Sequence, residues 1–133
     1  MDLLDEPDKN LSFRNTTTKR VLCILIYATG VCSLFYSISI LAFYIHARVI
    51  LGKFPSYANP DPAELSICGD YYKIIFSAFG IWIISFLLWL IFSFIYVIVT
   101  RRKIYWRPLA ITLFAHLLSI VITLSPIFEW YID

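Results

Sequence analysis

Three stretches of this chain contain no Lys, Arg, Asp or Glu: between Arg20 and Arg48, between Lys73 and Arg101, and between Arg107 and Glu129. Each exceeds the roughly 18 apolar residues that mark a membrane span, and a small water-soluble core has no place for three of them. Composition agrees where it bears on this point. The chain is 60% hydrophobic and only 15% charged over 133 residues, whereas globular domains run near 45–50% apolar and about 25% charged. An all-α integral membrane protein is therefore expected, with three transmembrane helices over about residues 21–51, 74–100 and 109–128. Helices are the required form because hydrocarbon offers an open backbone no hydrogen-bond partner.

The ends and connections follow from charge. Residues 1–18 read as a polar N-terminal tail, short and frayed, without the basic-then-apolar order of a cleavable signal peptide. Residues 19–133 read as a single three-helix membrane domain. Lys9, Arg14, Lys19 and Arg20 precede the first span, and Arg101, Arg102, Lys103 and Arg107 separate the second from the third. Only Arg48, Lys53 and Lys73 lie in or beside the first connection. The asymmetry predicts a cytoplasmic N-terminus and second connection, with residues 52–72 and the C-terminus outside. Tyr105 and Trp106 at one boundary, and Tyr71, Tyr72, Trp130 and Tyr131 at the other, suit aromatic belts. The four cations of the second connection either set topology alone or also hold anionic lipid headgroups. Because that connection is short, the second and third helices should be antiparallel neighbours, with Pro108 in the first turn of the third.

The first connection contains "NPDPAEL". Asp61 as cap, Pro62 at the first helical position and Glu64 three residues on predict a short external capping helix over about residues 62–67. Gly69 would close it in a left-handed conformation, and Asp70 would cap the second span. This cap either presents Tyr57, Asn59, Asp61 and Glu64 to an outside partner or only joins two helices. The wording "PSYANPDP" resembles a loop of small bacterial integral membrane proteins of unassigned function. That resemblance covers about a dozen residues and implies a bacterial inner-membrane setting; it carries no functional residue across.

Polar residues inside the spans supply the candidate sites. Thr112, His116, Ser119 and Thr123 recur at helical spacing and share one face, which should look on protein or water and not on lipid. His116 is either a proton-responsive or pore-lining group, or a neutral imidazole bonded to a hydroxyl of a neighbouring helix. Thr29, Gly30, Ser33 and Ser37 on the first helix, and Ser85 and Ser93 on the second, are candidate helix-packing positions. Trp82 and Trp89 read as packing or lipid-facing residues. Cys23 and Cys32 read as small fillers, and Cys68 as a buried free thiol or an interchain partner. No carboxylate lies within a span, and phosphate-loop, CxxC and His-x-x-x-His patterns are missing, so no cofactor, metal or nucleic acid is expected. A further His46 site with Asp61, Glu64 or Asp70 would lack the geometry zinc needs. The polar faces on all three helices exceed what one small bundle needs, which predicts self-association or docking into a larger membrane complex. The expected function is that of a non-enzymatic structural or interaction subunit; the alternative is an oligomeric pore lined by the Thr112–His116–Ser119–Thr123 face.

Overall fold

In the computed structural model, which describes residues 7–55, 61–100 and 105–132, the spans are helices α1 (Pro7–Leu51), α2 (Cys68–Val99) and α3 (Trp106–Thr123). A C-terminal helix α4 (Pro126–Ile132) follows, and a single 3₁₀ turn (Pro62–Glu64) lies in the α1–α2 connection. No strand occurs among the described residues. All three long helices are long and apolar enough to cross a membrane, so the chain is an all-α integral membrane protein.

Burial along each helix follows a repeat of seven. On α1 the covered positions include Leu22, Ile26, Thr29, Ser33, Tyr36, Ile40, Phe43 and Ala47, at alternating steps of four and three, with Ser37 and Ser39 buried beside this line. On α2 they are Ile75, Ala78, Trp82, Ser85, Trp89 and Tyr96; on α3, Leu109, Thr112, His116 and Ser119 continue the pattern. A repeat of 3.5 residues per turn suits helices crossing at about +20°, the usual geometry of membrane bundles. α1 packs against both α2 and α3 and is the central rod. Two apolar clusters flank its polar middle. Leu22, Ile26, Trp89, Tyr96 and Leu109 form one; Tyr36, Ile40, Phe43, Ile75, Trp82, Ile122 and Trp130 belong to the other.

Several boundaries differ from expectation. Residues 7–18, read as tail, belong to α1, because after Pro7 at the first helical position nothing interrupts helix formation. The third span ends at Thr123, not at residue 128. Pro126 has no N–H to continue the ladder and disfavours helical geometry at Ser125, so the chain turns and α4 starts afresh. Ser125 Oγ donates to the Ile122 carbonyl (2.6 Å) within that turn. α4 folds back with Trp130 fully buried and stacked on Phe43, ring centroids 5.5 Å apart.

The α1–α2 connection is shorter in helix than predicted. Asp61 does cap: its carboxylate accepts from the Ala63 N–H at 2.8 Å, with Pro62 at the first position. Only Pro62–Glu64 is helical, however, and Leu65 is already extended. Gly69 is not a left-handed terminator but the second residue of α2. The left-handed glycine is Gly52 (φ 67°), whose N–H donates to Arg48 O at 2.9 Å and closes α1. Ile67 occupies the N-cap of α2, and Asp70 instead lies in the first turn, where the helix dipole favours a negative charge. The Arg48 guanidinium sits 3.8 Å from the Phe54 ring centroid, and Tyr44 Oη donates to Pro55 O, holding the start of the connection on the bundle.

Candidate functional site

The polar faces of the helices meet along one buried seam. At its centre, Ser33 Oγ and His116 Nδ1 are 2.7 Å apart, and both residues are completely covered by protein. Ser119 Oγ lies 2.9 Å from the Ser33 carbonyl, 2.9 Å from Ser37 Oγ and 3.1 Å from the Ala115 carbonyl. One arrangement satisfies these hydroxyls in sequence. Ser37 donates to Ser119, Ser119 donates to the Ser33 carbonyl, and Ser33 donates to His116 Nδ1. That tautomer leaves the imidazole proton on Nε2, which has no polar partner among the described residues. The ring rests between Phe86 and Trp89, each with its centroid 5.3 Å away.

One layer toward the α2–α3 connection, Trp89 Nε1 donates to Thr112 Oγ1 at 2.7 Å, and Thr112 in turn donates to the Pro108 carbonyl at 2.7 Å. This is the back-bond to the i−4 carbonyl that a threonine inside a helix commonly makes. Gly30 faces the same threonine: a Cβ at Gly30 would lie 2.8 Å from Thr112 Cγ2, so only glycine lets α1 and α3 approach this closely. One layer in the other direction, Tyr36 Oη and Thr123 Oγ1 are 2.9 Å apart, while the Tyr36 ring stacks on Trp82 at 5.0 Å. Thr29 donates to its own helix, at Ile26 O.

The structure thus brings together Thr112, His116, Ser119 and Thr123 with Gly30, Ser33 and Ser37, as the shared spacing suggested. It selects the second reading of His116, an imidazole bonded to a neighbouring helix's hydroxyl. The α1 and α3 faces bond to each other and to Trp89, while Trp82 Nε1, Ser93 Oγ, His116 Nε2 and Tyr131 Oη are buried without a hydrogen-bond partner among the described residues. Ser85 is buried on α2. In the sequence Trp82 and Trp89 read as packing or lipid-facing residues, and neither the Trp89–Thr112 bond nor the stacking of Tyr36 on Trp82 is foreseen. Indole and phenol positions at heptad spacing from the hydroxyls were the available signal.

Chemically, Ser33 and His116 have the spacing of a nucleophile and its base. Neither exposes any surface, and aromatic rings close the far side of the imidazole. The pair lies inside the packed seam, where α1 of the same chain covers the polar face of α3.

At the end of the bundle holding the α1–α2 connection, Asp61 and Glu64 are exposed; Tyr57 and Asn59 lie outside the described residues. His46 Nδ1 is 3.3 Å from Tyr71 Oη, so its neighbour is a phenol and not the carboxylates considered for a metal. Near the same end, in α4, burial pushes the Tyr131 phenol up to about 12. At the other end Arg107 is exposed; Arg101, Arg102 and Lys103 lie outside the described residues. Cys23, Cys32 and Cys68 are free thiols, each half-buried. Comparison of the chain with protein-family models, with curated proteins and with solved structures finds no match for any part of it.

Proposed function

We propose that this protein is a non-enzymatic structural or interaction subunit of a membrane, docking through its outer surface to a second copy or to a larger membrane complex. The observation that carries the reading is the closure of the Ser33–His116–Ser119 seam inside one chain. A bundle whose α1 and α3 hydroxyls bond to one another holds itself together, as a scaffold must. Its contacts then fall on what remains outside. α2 offers the largest such surface, with 22% of its most apolar window buried against 39% for α1 and α3. Ile84, Leu87, Ile91 and Phe94 present large apolar side chains there. In orientation, the N-terminus and the α2–α3 connection belong on the cytoplasmic side of a bacterial inner membrane, and the α1–α2 connection and C-terminus outside. The distribution of basic residues and the resemblance of "PSYANPDP" support that placement.

The test is reconstitution into dye-loaded liposomes beside native mass spectrometry from mild detergent. The scaffold reading expects no ion leak above protein-free vesicles, with defined oligomers or companion chains in the spectrum. His116→Leu should lower thermal stability without altering flux. A leak that His116→Leu or Ser119→Leu suppresses while the helices stay folded would instead establish the pore.

A further inference from the structure

A groove opens where α1 passes the α2–α3 connection. It encloses about 510 Å³, and among its lining residues are Lys19, Arg20, Ile24, Tyr27, Tyr96 and Tyr105. That is the size of an ordinary ligand cleft, about 300–1,000 Å³. The lining has a direction. Lys19 and Arg20 stand at the N-terminal end, while Ile24 and Tyr27 lie one to two turns further into the span, roughly 6–12 Å along the helix axis. Tyr96 Oη is committed to the Tyr105 carbonyl at 3.3 Å, so the phenol turns its ring and not its hydroxyl to the groove. No acidic residue is among the described residues that line it. The lining is almost wholly carbon, so Lys19 and Arg20 give the groove their aliphatic stems; Lys19 is half-buried and Arg20 exposed.

We infer that this groove holds an acyl chain of one anionic phospholipid against Ile24, Tyr27 and Tyr96, with the phosphate outside the apolar lining at the charged ends of Lys19 and Arg20. Charge complementarity selects the occupant. Two cations with no lining carboxylate attract a phosphodiester of net negative charge more strongly than a zwitterionic headgroup, whose own ammonium is repelled. The axial order of the lining, cations first and then hydrocarbon and rings, is the order of groups along a phospholipid. A soluble phosphate would leave the apolar length unfilled, and a neutral lipid would leave the cations without a partner. Tyr105, beside the α2–α3 connection, suits the depth at which ester groups lie.

The inference rests on the chain being integrated in a bilayer, and the experiment separates the two. The full-length protein is placed in nanodiscs of equal phosphatidylcholine and phosphatidylglycerol, then released into a native mass spectrometer. Wild type should retain a single phosphatidylglycerol in preference to phosphatidylcholine. Lys19→Gln with Arg20→Gln should weaken that preference by roughly five-fold for each cation removed. The swap Lys19→Arg with Arg20→Lys should restore it. Lys53→Gln with Lys73→Gln, at the other end of the bundle, should leave it unchanged. Circular dichroism checks that every variant keeps its helices. Equal retention of the two lipids, or equal loss in both pairs of glutamine variants, would overturn the site while leaving the membrane reading intact. A folded chain that never enters the discs would overturn both.

Discussion

Gly30 and Gly80 are both glycines inside membrane helices, yet the same substitution should act on them with opposite sign. At Gly30 an alanine methyl meets Thr112 Cγ2 at 2.8 Å; at Gly80 nothing lies within 4 Å. Helix propensity favours alanine over glycine by up to about 1 kcal/mol, whereas forcing a methyl into a packed contact costs about 1–3 kcal/mol. Gly30→Ala should therefore lower the unfolding temperature in detergent, and Gly80→Ala should leave it unchanged or slightly raised. Adding Thr112→Ser to Gly30→Ala should recover part of the loss, because it removes Cγ2 and keeps the hydroxyl that Trp89 needs. Additive losses in the double variant would mean that the Gly30–Thr112 contact does not set the approach of the helices. The spacing of Gly30 among small residues was visible in sequence. The identity of the side chain pressing on it was not, because that depends on the relative rotation of two helices more than 80 residues apart in the chain.

Helix α4 is held chiefly by one residue. Trp130 is 1% exposed and stacks on Phe43, and removing a fully buried tryptophan costs about 3–5 kcal/mol. A seven-residue helix has little stability of its own. Trp130→Ala should accordingly free α4 and accelerate proteolysis in the Leu124–Ser125 turn, with the circular dichroism of α1–α3 nearly unchanged. Protease resistance equal to wild type would show that other contacts dock the element. The existence and type of the three long helices were legible from charge-free length alone. Their ends were less so. The run from Pro108 to Phe128 lacks charge throughout, so a reading based on charge passed over Pro126, although its missing N–H is what ends the helix. At Gly69, by contrast, the sequence suggests a turn, whereas α2 has already begun at Cys68 and the glycine is its second residue.

For the whole molecule, the groove shared by Lys19, Arg20 and Tyr105 places the N-terminal part of α1 and the α2–α3 connection at one end of the bundle. Cysteine-free protein carrying Trp106→Cys should resist a membrane-impermeant maleimide until the cells are opened, whereas Lys53→Cys, at the exposed other end, should react at once. The reverse pattern would invert the proposed orientation, and equal reactivity would contradict a spanning bundle. The polar seam was half visible beforehand. Hydroxyls at helical spacing announced faces, but which faces would be satisfied within one chain is a property of three helices together.

The helices differ greatly in length: α1 has 45 residues, α2 has 32 and α3 has 18. At 1.5 Å per residue α3 extends only about 27 Å, slightly less than a typical hydrocarbon layer of about 30 Å. Its ends are fixed by Arg107 on one side and the Ser125–Pro126 turn on the other, and neither can be drawn into oil cheaply. The shortest rod is thus the gauge of the bundle. However many spare turns α1 and α2 possess, a thicker bilayer must thin around α3, at a fraction of a kcal/mol per Å, and the protein will favour the thinner regions of whatever membrane it inhabits.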